Sequence, residues 1–354
     1  MSGKTNNMPK WIGRRLSIGV GVEGVRGTGV AASLWLNATA FSFLDKVTKA
    51  RTNAGYGGIW GGDQSLVAQK WAEGEIEVEM GDQSFGAIMI ATLGGISSAA
   101  YLGAYKHTFT LQNDNAHDSL SVHTVDPIGD LIFELSMVES LTIEMVPEDL
   151  VKYTVGFRSK PSQADSSTAA YIAENKFLGR HAKLYLEDVV GDLGTSDDIC
   201  VKRMALTFTK NLEDNYCLGT VQPTDIMNKN FTITGEIELN YENRTYRDYM
   251  LDGGYKAMRI DIVNTDVTIG TTNPSFRIDL SKVDFDEWDA DHALDDIVTQ
   301  TINFTALYDL DTTDLVINDC YLINERDDYY VGGTTTSSST SSSTSSSTSS
   351  STSA

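Results

Sequence analysis

The chain has 354 residues, 41% hydrophobic and 9% aromatic, enough for packed cores and, at roughly 100–200 residues per domain, for two domains. Its formal net charge of -22 excludes a generic nucleic-acid binder, which needs a basic footprint to replace phosphate counterions. The three cysteines, Cys200, Cys217 and Cys320, fit no metal or redox spacing and read as reduced thiols, while no apolar run makes a signal peptide or a membrane span, so a cytoplasmic site of production is expected.

Residues 1–60 carry eight basic and two acidic side chains, a balance of +6 that leaves -28 for the remainder. A basic end on an acidic body suits head-to-tail association of copies; a solvated acidic surface with a basic arm is the plainer reading. The arm is placed at 1–15. Gly19-Val20-Gly21-Val22-Glu23-Gly24 matches a dinucleotide-binding pattern in letters. That motif requires a helix opening on it, and none is indicated, so an extended glycine-rich segment is expected.

The first β-rich domain is placed at 16–160, with strands at 40–43, 108–111, 120–122, 132–135, 141–144 and 151–157. A turn-rich insertion covers about 45–68, where Tyr56 and Trp60 stand among glycines. It is followed by Gly74-Glu75-Ile76-Glu77, whose alternation marks a half-buried strand. A short helix follows at about 83–93, capped by Asp82 and stopped at Gly94-Gly95. The serine-rich stretch at 161–169 reads as a linker.

The second domain, 170–330, repeats the unit. Gly235-Glu236-Ile237-Glu238 recurs at an offset of 161, with Asn243 in the place of Asp82 and Tyr246 in the place of Phe85. Another helix is expected at 244–252, before Gly253-Gly254. Strands are expected at 205–208, 258–262, 276–280 and 302–306, and a second insertion at about 210–229 contains Tyr216. Each half therefore predicts a mainly β fold, a sandwich or barrel with one flanking short helix. Residues 331–354 are almost wholly serine and threonine and are expected to be disordered.

Other chemistry is weighed on the same residues. The acidic stretch from Asp284 to Asp296 lacks the central glycine of a calcium loop and reads as an acidic loop. His107, His117 and His123 have no matching ligand pattern and read as surface or core histidines. Glu75 with Glu77, and Glu236 with Glu238, resemble acid–base pairs, but repetition on one strand face favours structure. No catalytic residue, metal ligand or cofactor is assigned.

Several strings resemble the tail tube proteins of long non-contractile-tailed bacteriophages. They include Gly24-Val25-Arg26-Gly27-Thr28-Gly29-Val30-Ala31-Ala32-Ser33-Leu34-Trp35-Leu36, Asp45-Lys46-Val47-Thr48-Lys49-Ala50-Arg51, Ala173-Glu174-Asn175-Lys176-Phe177-Leu178-Gly179, Thr245-Tyr246-Arg247-Asp248-Tyr249 and Leu294-Asp295-Asp296-Ile297-Val298. The resemblance runs from about 16 to 325. It implies a non-enzymatic virion protein of stacked β-rich rings, made in the host cytoplasm, with long loops bridging successive rings and DNA passing through the lumen without specific binding. Its partners would be further copies of itself, a tape measure protein and tail terminator or tip proteins. Two units per chain suggest trimeric rings with pseudo-sixfold symmetry; six whole chains per ring is the alternative. Lys46, Lys49, Arg51, Tyr56, Trp60 and Tyr216 are the expected inter-ring contacts, and Glu75, Glu77, Glu236 and Glu238 the expected lumen residues. The competing readings are a phage-associated β-sandwich adhesin or carbohydrate-binding module, and a hydrolase with an unrecognised site.

Overall fold

The computed structural model describes residues 10–310, apart from 293, 295 and 296, and residues 315–330. The serine/threonine segment, with the disorder expected of it, and the first nine residues of the basic arm lie outside the described residues.

The first half contains β1 (Ser17–Val22), β2 (Leu34–Leu36), β3 (Ala38–Phe41), β4 (Leu44–Arg51), β5 (Ser65–Glu79), α1 (Phe85–Leu93), β6 (Gly94–Tyr101), β7 (Ala104–Leu111), β8 (Leu120–Val125), β9 (Asp130–Met145) and β10 (Lys152–Ser159). After it come β11 (Gln163–Asp165), β12 (Ala182–Glu187), β13 (Arg203–Thr209), β14 (Glu213–Asn215), β15 (Asp225–Met227), β16 (Thr232–Asn240), α2 (Thr245–Asp252), β17 (Lys256–Val263), β18 (Ser275–Asp291), β19 (Thr299–Leu307) and β20 (Ile317–Asn324). All paired strands named in register are antiparallel, and the fold is mainly β, as the alternating patterns predict.

Each half has two sheet layers that share one long strand. In the first, the N-terminal part of β9 pairs with β8, which pairs with β1, while its C-terminal part pairs with β10 and so with β5. In the second, β18 does the same, joining β17 and β12 to β19 and β16. The duplication extends to a defect in the ladder. Glu139 is the extra residue in β9 opposite Gly156 and Phe157, and Asp286 is the extra residue in β18 opposite Asn303 and Phe304. A bulge bends a strand, and here it bends each shared strand where its two layers part.

The sequence expected two strands at 132–135 and 141–144; one continuous strand, β9, is present, with Leu135 in the left-handed region at φ 55°. The acidic loop expected from 284 is strand as far as Asp291, because Val283, Phe285 and Trp288 continue the apolar spacing around the bulge. Part of the expected linker is β11, paired with β9. The insertion at 45–68 is an antiparallel hairpin of β4 and the start of β5. Asp82 does not cap α1: Ser84 holds that position, and the Asp82 carboxylate accepts from the Asn175 backbone N–H at 3.0 Å and side-chain amide at 2.9 Å.

The two helices end where expected, at Gly94 (φ 91°) and Gly253 (φ 64°). Their surroundings differ. All nine residues of α1 are buried, consistent with its uniformly apolar sequence Phe-Gly-Ala-Ile-Met-Ile-Ala-Thr-Leu, and none of α2 is. The core joins both halves and includes Ile76, Val78, Tyr153 and Phe157 from the first and Ile233, Ile237, Ile302 and Phe304 from the second.

Candidate assembly surfaces

The halves meet where β9 pairs with β13. Through this seam one sheet runs without interruption from β5 through β10, β9, β13, β16 and β19 to β18. Residues directly opposite in an antiparallel ladder point to the same face. One row across the sheet is therefore Glu77, Thr154, Thr142, Thr207, Thr234, Thr305 and Asp284. The next is Glu79, Lys152, Glu144, Ala205, Glu236, Asn303 and Glu287. Glu75 and Glu238 occupy the same face by alternation, so the sheet brings all four expected carboxylates together on one polar surface. The opposite face carries Ile76, Val78, Ile237 and Leu239 into the core. Arg203 offsets part of the charge by bridging Glu144 at 2.8 Å and Glu236. Lys46 reaches the same face, sharing a shallow hollow with Glu73, Glu75 and Ser140.

This sheet ends in two half-paired edges. Among the described residues, β18 from Asp284 to Asp291 is paired only with β19, and β3 and β4 are paired only with β5. Beside β3 an open groove of about 730 Å³ runs along Leu16, Ile18, Leu36, Ala38, Phe41 and Tyr171. The matching space beside β13, between Leu184, Ile199 and Met204, is only about 50 Å³, because Met145 and Pro147 line it from the neighbouring half.

The hairpin of β4 and β5 carries five of the six expected inter-ring residues or their neighbours into solvent. Every residue of β4 is exposed, including Lys46, Lys49 and Arg51. At the tip Trp60 is 70% exposed and Ile59 fully so. Tyr56 is also exposed, and its hydroxyl donates to Asp63 at 2.6 Å. Tyr216 sits elsewhere. Its segment folds against the first half of its own chain: Arg158 pairs with Asp214 at 2.8 Å, Arg26 with Asp225 at 2.6 Å, and Ile226 packs on Leu135 and Met137. Tyr216 is half-buried there, its hydroxyl enclosed, while Leu218 at the tip is fully exposed.

The remaining sequence motifs resolve into packing. Glycines 19 and 21 lie in β1, and Glu23 beyond them is buried, accepting from the backbone N–H of Gly27 and Leu135 and from the hydroxyls of Ser119 and Ser121. All three histidines of interest are buried. His123 Nδ1 meets both Asp165, at 2.7 Å, and Ser167, at 3.2 Å, with Nε2 on the Val30 carbonyl. Serine and aspartate on one nitrogen cannot form a nucleophile–base–orienter relay. Among the described residues no group of three His, Cys, Asp or Glu side chains could hold a metal ion, and no helix is long and apolar enough to cross a membrane.

A family model described as phage tail tube protein matches residues 13–306, which spans both copies of the repeat and both sheet edges. The chain belongs to the phage tail tube protein family. Its role is accordingly structural, as a component of the virion tail that assembles into the tail tube. No curated protein matches the chain. The seam and the two edges were not legible as such in the sequence; the signal present was the alternation of acids with Phe285 and Trp288 in what looked like a loop.

Proposed function

We propose that the chain assembles head to tail into closed rings of three copies, six β-units around, and that the rings stack into the conduit for DNA ejection. The observation that carries the reading is the seam between β9 and β13. It joins one unit to the next edge to edge, and the chain ends with one half-paired edge of each kind, β18 and β3–β4. An unpaired edge is a template for another strand, and a heterologous contact that repeats around an axis closes into a ring.

The internal seam supplies a register for the external one. In it Glu144 faces Ala205, Thr142 faces Thr207 and Ser140 faces Thr209. Carried over to the corresponding strands, Asp291 of one copy faces Ser42 of the next, Asp289 faces Leu44, and Glu287 faces Lys46. The last pair is oppositely charged, in keeping with a basic first segment and an acidic body.

The polar face then lines the channel, with Glu75, Glu77, Glu236 and Glu238 directed inward. A wall of carboxylates and threonine hydroxyls repels phosphate, whereas a basic wall would hold it at every step. The exposed hairpin, through Trp60, Tyr56, Lys49 and Arg51, reaches the adjoining ring, since a two-stranded ribbon alone in water is marginally stable. The tape measure and terminator proteins complete the assembly as partners. Cryo-EM of assembled tubes tests the whole reading. Threefold rings with an acidic inner wall are expected; six identical chains per ring would overturn the trimer, and a neutral or basic wall would overturn the channel assignment.

A further inference from the structure

The segment that leads into the second half is clamped by the first. Lys176-Phe177-Leu178-Gly179 crosses the ends of β5 and β10. The Val151 N–H donates to the Phe177 carbonyl at 2.9 Å, the Phe177 N–H to the Met80 carbonyl at 3.3 Å, and the Gly179 N–H to the Asp149 carbonyl at 2.9 Å. Phe177 is fully buried, and a Cβ on Gly179 would collide with the Val146 carbonyl.

The same string occurs ahead of the first half, as Lys10-Trp11-Ile12-Gly13-Arg14 against Lys176-Phe177-Leu178-Gly179-Arg180. Both lead into a single 3-10 turn, Gly13–Arg15 and Gly179–His181, and then a first strand. Among the described residues no other segment is hydrogen-bonded to the first copy of the string. Trp11 is 37% and Ile12 67% exposed, and a Cβ on Gly13 would meet nothing within 4 Å.

The receiving groups are duplicated too. The Met80 N–H donates to the Val151 carbonyl at 2.9 Å, and the Tyr241 N–H donates to the Val298 carbonyl at 3.0 Å in the same relation. Between Met80 and Val151 lies Phe177. Among the described residues, nothing bonds the Val298 N–H or the Tyr241 carbonyl, and Tyr241 stands beside Trp288 with ring centroids 5.8 Å apart.

We propose that Lys10–Gly13 of one copy inserts between Tyr241 and Val298 of another, Trp11 taking the place that Phe177 takes between Met80 and Val151. This string leads into each unit from a clamp on the unit before it. Among the described residues no part of the first half's own chain receives its string, so we assign the clamp to a second copy. The inference rests on the ring reading above and adds a strap to its seam, crossing from each copy to its neighbour.

The register also fixes a test. Leu150 and Leu178 form a bridge flanked by, and not sharing, the two backbone bonds. Such a pair brings Cα atoms to about 4.5 Å, within disulfide range. Its counterpart is Ile297 with Ile12, both exposed in the single chain at 69% and 67%. In a Cys200→Ser, Cys217→Ser background, Ile12→Cys with Ile297→Cys should oxidise within assembled tubes to covalent dimers and closed rings on a non-reducing gel. Either cysteine alone should give monomer only. Tubes of that double variant seen by negative stain but remaining uncrosslinked would overturn the strap and leave the ring standing. A wild-type protein that forms no rings would overturn the ring reading and the strap with it. Should the double variant fail to fold, hydrogen exchange on wild-type tubes decides: a Val298 amide slowed at least tenfold on assembly supports the strap, and one exchanging at its unassembled rate overturns it.

Discussion

The hydroxyls of Thr142 and Thr207 lie 3.0 Å apart across the seam between β9 and β13, where the polar faces of the two units become one. β13 is paired on both sides, so its backbone tolerates no proline. Thr207→Pro should lower the unfolding free energy by at least about 2 kcal/mol through a lost ladder bond and a buried unsatisfied carbonyl. Thr207→Val, which keeps the strand and loses only the hydroxyl, should cost about 1 kcal/mol or less. Denaturant unfolding of both variants checks this, and equal small effects would mean that the seam is not part of the stable structure.

Ring closure through the proposed register predicts charge complementarity between copies. Glu287→Lys sets two cations opposite each other at the seam with Lys46, and Lys46→Glu sets two carboxylates there. Each single variant should stay folded and assemble poorly at low salt; the combination should restore tubes. Sedimentation of assembled material at two salt concentrations provides the readout. Failure of the combined variant where both singles fail would exclude this pairing.

The hairpin prediction separates folding from stacking. Residues 54–62 touch little of the described core, and every residue of β4 is exposed. Their deletion should leave the melting temperature unchanged within about 2 °C, as expected for a loop outside the cooperative core, while abolishing long tubes. Tubes of normal length from the deleted protein would remove the hairpin from the stacking contact.

How far the sequence reached depended on the range of the interaction involved. Gly74-Glu75-Ile76-Glu77 and its repeat were readable because strand alternation and helix stops are local: Gly94 and Gly253 end α1 and α2 where the pattern placed them. Asp82 also looked like a local cap, but its carboxylate is taken by Asn175, 93 residues away. The strand from Asp284 to Asp291 looked like a loop because its acids Asp284, Asp286, Glu287, Asp289 and Asp291 crowd out the apolar alternation, which a bulge at Asp286 also shifts. The expected roles of Tyr56 and Trp60 fit an exposed hairpin, whereas Tyr216 lies in a segment pinned by Arg26 and Arg158, ion pairs that no local pattern reveals.

Two arginine pairs should differ in their contribution. Arg259 holds Asp279 through two bonds of 2.7 Å, with the carboxylate side chain only 4% exposed. Arg203 bridges Glu144 and Glu236 with all three side chains at least 40% exposed. Arg259→Ala leaves a buried charge and should cost about 3–5 kcal/mol. Arg203→Ala should cost about 1 kcal/mol or less, because solvent screens an exposed pair. Urea unfolding at matched pH distinguishes them.

Lys210 is the buried cation whose ionisation should be visible in stability. Its ammonium lies inside the protein, 1% exposed, donating to the Ala91 carbonyl near the end of α1 at 2.7 Å. Burial first and then the Arg26 guanidinium bring its pKa down from 10.5 to about 7, against the opposing pull of the Asp118 carboxylate. His117 faces the same site, its pKa pushed down by burial and by Lys210, and Asp118, its pKa raised by burial, accepts a hydrogen bond from the Tyr330 hydroxyl at 2.6 Å. Between pH 7 and 10.5 the unfolded chain keeps a proton on Lys210 that the folded chain releases. Stability therefore rises with pH across that window through this group, and its cost is greatest below pH 7. Lys210→Met removes the term. The stability of the wild type relative to this variant should increase from pH 7 to pH 9.5, with Tm measured in parallel on both proteins. The other groups at the site are common to both proteins, so a constant difference in Tm across the window would show that Lys210 stays charged in the fold.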